Sequence, residues 1–89
     1  MYTISYKIKD GFNSEFSTNL STSVTKEEVI NEIVDTIKLF GASKISKIKF
    51  NRDDTLIYDF LPTNKSYSDV EIDKFSNEVA LYIKSRGSV

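Results

Sequence analysis

VTKEEVINEIVDTIKLFG, residues 24–41, decides how the rest of the chain folds, because both ends and one face of a helix are written in it. Thr25 stands at the N-cap with a hydroxyl for the unpaired N–H groups of the first turn, and Glu28, three residues on, completes a capping box. Val24 and Val29 take the positions of a hydrophobic staple. Val29, Ile30, Ile33, Val34, Ile37 and Phe40 recur at helical period on one face, with Glu27, Glu28, Asn31, Glu32, Asp35 and Lys38 on the other. Lys38 puts positive charge near the negative end of the helix dipole, and Gly41 supplies the left-handed residue that ends the helix. From Lys26 to Phe40 the rod is about 22 Å long, enough to cover one face of a small sheet.

Working back from this helix, Tyr2 to Lys9 alternates, with Tyr2, Ile4, Tyr6 and Ile8 on one side and Thr3, Ser5, Lys7 and Lys9 on the other, which is a half-buried strand. Asp10 to Asn13 supplies turn chemistry, and Glu15 to Thr22 follows as the second arm of a hairpin with Phe16, Thr18 and Leu20 on one face. Working forward, Ala42 to Lys44 is a short connection, and Ile45 to Phe50 is a strand with Ile48 and Phe50 inward and Lys47 and Lys49 outward. Asn51 to Asp54 forms a turn. Thr55 to Leu61 is the most apolar strand, with Leu56, Tyr58 and Phe60 assigned to one side and Ile57 and Leu61 to the other. Pro62 stops it. Ser68 then opens a second helix on the same grammar: Ser68 as N-cap, Glu71 closing the box, Tyr67 and Ile72 as staple, Gly87 as stop. Ile72, Phe75, Ser76, Val79, Ala80 and Ile83 form its inner stripe, and Leu81 lies nearly opposite.

These elements predict an α+β two-layer sandwich in ββαββα order, a four-stranded, mostly antiparallel sheet with both helices on one face. At 89 residues, 39% hydrophobic, with six Phe and five Tyr, the chain suits a single domain over residues 1–89. Residues 1–41 and 45–87 each read hairpin then helix, and Lys7-Ile8-Lys9 recurs as Lys47-Ile48-Lys49, so the order is open to reading as a ββα duplication.

Composition excludes more than it selects. With no Cys and no His, disulfides, Ser-His and Cys-His nucleophiles and the usual zinc, copper and haem ligands are all missing, so no cofactor, no metal and no enzymatic activity are expected. Met1 leads directly into strand sequence, and no apolar run approaches the roughly 20 residues of a membrane span, so a cytoplasmic location without membrane contact is expected. The net charge of −1 gives no global pull towards nucleic acid, leaving any electrostatic role to the distribution of charge. Richness in Ile, Lys, Asn, Ser, Phe and Tyr is what AT-rich codons produce, pointing to a low-GC bacterium or its mobile elements.

Candidate sites follow from what the core leaves over. Asp53 with Asp54, and Asp69 with Asp73, are carboxylate pairs, but turn chemistry and the helix dipole account for both. Asn64-Lys65-Ser66 lacks the glycines of a phosphate-binding loop. Ile45, Ile57, Leu61 and Leu81 have no place in a single core and are the candidate partner-binding residues. Lys7, Lys9, Lys47 and Lys49 would form a stripe on the outer sheet face if the first and third strands are neighbours, the alternative candidate site, for nucleic acid. Glu27, Glu28, Glu32 and Asp35, with Asp69, Glu71, Asp73 and Glu78, make the exposed helix faces acidic.

No motif of a known family aligns with the chain residue by residue. In size, composition and lack of catalytic residues it resembles the small accessory proteins of phages and plasmids, among them inhibitors of host defence such as anti-CRISPR proteins. The resemblance implies a non-enzymatic module that binds another protein, through the outer sheet face or an exposed edge strand. An uncovered, partly apolar sheet face also allows a homodimer.

Overall fold

Strands β1 (Tyr2–Ile8) and β2 (Glu15–Leu20) lead into helix α1 (Lys26–Phe40), a short 3-10 turn (Ala42–Lys44) leads into β3 (Ile45–Arg52) and β4 (Thr55–Phe60), and α2 (Asp69–Gly87) follows. The computed structural model describes residues 1–12, 14–62 and 67–87, so Asn13 of the first turn and the Asn64-Lys65-Ser66 segment lie outside the described residues. The sheet has the order β2-β1-β3-β4 and is antiparallel throughout, giving the expected α+β fold. The two hairpins meet through their first strands, which makes β1 and β3 central and β2 and β4 the edges. Leu20 ends β2 level with Tyr2, whereas Ile45 starts β3 level with Ile8, so α1 carries the chain back along the length of the sheet.

The caps form as their chemistry requires. Glu28 N–H donates to Thr25 Oγ1 at 3.2 Å while Thr25 N–H donates to Glu28 Oε1 at 3.2 Å. At α2, Glu71 N–H donates to Ser68 Oγ at 3.2 Å and Ser68 N–H to Glu71 Oε1 at 3.1 Å. Gly41 ends α1 at φ 92°, ψ 136°, a positive φ outside the left-handed helical region, and its N–H still donates to Ile37 O at 2.7 Å. Asp53 and Asp54, at φ 48° and 67°, make the tight β3–β4 turn and tolerate the left-handed region as short polar side chains do.

One hydrophobic cluster joins sheet and helices: Tyr2, Ile4, Tyr6 and Ile8 from β1, Ile45, Ile48 and Phe50 from β3, Phe60 from β4, Val29 and Ile33 from α1, and Ile72, Phe75, Val79 and Ile83 from α2. Aromatic rings tile its floor. Phe50 stacks on Tyr2 at 5.8 Å and on Tyr58 at 5.9 Å, and Tyr82 of α2 meets it edge-on at 5.6 Å. Phe60 stacks on Phe75 at 4.5 Å, and Phe16 bridges Tyr6 and Phe40 at 6.1 and 5.6 Å. The buried Tyr6 hydroxyl faces those of Thr18 and Thr36 without reaching hydrogen-bond geometry, and burial raises its pKa.

Two bulges correct the sequence assignment of faces. The register of β3 on β1 shifts between Lys7 and Ile8, so Ile8 pairs with Ile45 and Ile45 turns into the core at 2% exposure instead of remaining outside. The register of β4 on β3 shifts between Phe50 and Asn51, pairing Phe50 with Tyr58 but Asn51 with Leu56. Leu56 therefore shares the outer face with Asn51 and is 48% exposed, while Ile57 turns to the helix side and packs half-buried against the core. A strict alternation had assigned these two residues the other way round.

Candidate functional site

The outer sheet face is polar and cross-linked by its own side chains. Ser5, buried on β1, shares a 3.0 Å contact with Ser17 Oγ of β2 and accepts from Asn51 Nδ2 of β3 at 3.0 Å. Lys49 Nζ lies 3.4 Å from Glu15 Oε1 and Lys47 Nζ 3.1 Å from Asp59 Oδ2. The expected lysine stripe is thus brought together in backbone terms, with Lys7 directly opposite Lys47, yet two of its four cations carry a carboxylate partner. Lys7 and Lys9 are exposed and make no ion pair among the described residues.

The four apolar candidates do not converge. Ile45 is core. Ile57 and Leu61, the latter 58% exposed, lie at the β4 edge, where the sheet ends. Beside that edge runs a groove of about 410 Å³ between β4 and α2, with Ile57, Tyr58, Phe60 and Phe75 as apolar walls and Glu71, Lys74 and Glu78 from α2 along its rim. Leu81 is exposed at 56%, but on the other flank of α2, in a groove of about 750 Å³ that faces the start of α1 and includes Val24, Ala80, Lys26 and Lys84. Lys26 Nζ pairs with Asp73 Oδ1 across the two helices at 2.9 Å.

The β4 groove was only half visible in sequence. Tyr58, Phe60 and Phe75 carry the signal of core residues; Phe60 and Phe75 are buried in the core and Tyr58 packs half-buried against it. What sequence could not give is that β4 is an edge, which depends on the strand order. The carboxylate pairs do not act as pairs in one cleft: Asp53 borders a small hollow with Arg52 and Tyr82 and pairs with the N-terminal ammonium, which lowers its pKa, Asp54 borders a separate one on the outer sheet face with Glu15 and Lys49, and Asp69 and Asp73 are exposed near the start of α2. No group of three or more acidic residues that could hold a metal ion forms among the described residues, and no helix there is long and apolar enough to cross a membrane. Compared with protein-family models, curated proteins and solved structures, the chain matches none.

Proposed function

We propose that the chain is a small, non-enzymatic protein-binding module, and that its partner adds an extended segment to the open edge of β4. The reading rests on one observation: an edge strand, paired only with β3 among the described residues, lies beside a groove walled by Ile57, Tyr58, Phe60 and Phe75, with Leu61 exposed just beyond it. Backbone N–H and C=O groups of an edge strand give affinity to a partner strand, and pockets for alternate side chains give it selectivity. The outer sheet face suits this role less, because Ser5, Ser17 and Asn51 engage one another there and Lys47 and Lys49 are paired with Asp59 and Glu15. By size and composition we place the protein with the cytoplasmic accessory proteins of phages and plasmids, as an inhibitor of a host defence complex.

Affinity capture from a low-GC host lysate, with and without nuclease, tests this. Protein partners that survive nuclease and are lost with Leu61→Asp or Ile57→Asp are expected; capture unchanged by both substitutions in folded protein contradicts it. A second copy of the chain pairing edge to edge is the homodimeric outcome, read from mass in solution by light scattering.

A further inference from the structure

The bulge between Lys7 and Ile8 does more than bury Ile45: it gathers lysines at one end of the sheet. Lys7 stands directly opposite Lys47, and two residues on Lys9 N–H donates to Lys44 O at 2.6 Å, so four lysines fall on two adjacent strand ends. Like charges opposite one another across strands are destabilising. Lys47 pairs with Asp59, while Lys7, Lys9 and Lys44 are exposed and without an ion pair among the described residues. Of the acids nearby, Glu15, directly opposite Lys7 on β2, pairs with Lys49, and Asp10 in the β1–β2 turn accepts from Ser14 Oγ and Phe12 N–H and keeps its negative charge. On that turn, three residues past Lys9, Phe12 is 88% exposed, the most exposed large apolar side chain described.

We infer that this end of the sheet binds single-stranded nucleic acid, with Lys7, Lys9 and Lys44 on consecutive phosphates and Phe12 stacked on an unpaired base. Cations beside an exposed ring are the combination that single-strand binders use, phosphate contacts giving affinity and stacking giving preference for unpaired bases. A duplex offers phosphates but no free base face. An anionic bilayer offers charge, but a lone phenyl ring buries little apolar area in it. The inference replaces the four-lysine sheet face as the nucleic-acid surface and is independent of the β4 groove.

The test uses a fluorescein-labelled oligothymidylate of about 20 nucleotides and fluorescence anisotropy, with melting checked for every variant. Three phosphate contacts predict a slope of log K on log salt near −2, or roughly a 20-fold loss of affinity between about 50 and 200 mM salt. The triple variant Lys7→Gln, Lys9→Gln, Lys44→Gln loses binding, Phe12→Ala weakens it about tenfold, and Lys84→Gln, on the far flank of α2, binds as the parent does. No binding at low salt, binding that survives the triple variant, binding unaffected by Phe12→Ala, or binding to phosphatidylserine vesicles in place of the oligonucleotide each overturns the inference.

Discussion

Phe50 has three aromatic neighbours, Tyr2, Tyr58 and Tyr82, so its loss would open contacts from β1, β4 and α2 together. Phe50→Ala is expected to destabilise the protein by about 3–5 kcal/mol, read from denaturant unfolding. Ser76 runs the other way. It is fully buried in α2 and its hydroxyl has no hydrogen-bond partner among the described residues, so Ser76→Ala removes an unsatisfied group and should stabilise by about 1 kcal/mol. At Asp10 the Ser14 hydroxyl and the Phe12 N–H hold the carboxyl below its ordinary value of 3.8. A pKa lowered by folding means that the turn's contribution is present above 3.8 and is lost as pH falls through the lowered value. An NMR titration should place the Asp10 midpoint below 3.8, and Ser14→Ala should move it back towards that value.

At the scale of elements, what sequence shows well is what depends on near neighbours. The bounds of α1 follow from Thr25, Glu28 and Phe40, and Thr25→Ala, which removes the cap, should cost about 1 kcal/mol in the same unfolding measurement. β4 shows the limit. Its alternation assigns Leu56 inward and Ile57 outward, but one extra residue at the bulge reverses them, and nothing within Thr55 to Phe60 announces a bulge that exists only against β3. The burial of Ile45 is hidden for the same reason, because it depends on a register shift against β1. Ion pairs between strands were equally hidden: Lys49 and Glu15 belong to strands separated by β1, so their pairing requires the strand order as well as the faces.

Across the whole molecule, strand order turns a list of leftover residues into two different surfaces. It makes β4 an edge with a groove beside it, and it sets lysines from β1 and the β3 end together, far along the chain from one another. The central claim, binding of a partner protein at the β4 edge, is tested most directly by capturing nuclease-resistant partners from host lysate with the parent protein and with folded Leu61→Asp in parallel. The account predicts proteins that remain bound to the parent after nuclease and are depleted from the variant. Capture in which no partner survives nuclease, or in which the surviving partners bind the variant equally, would contradict it.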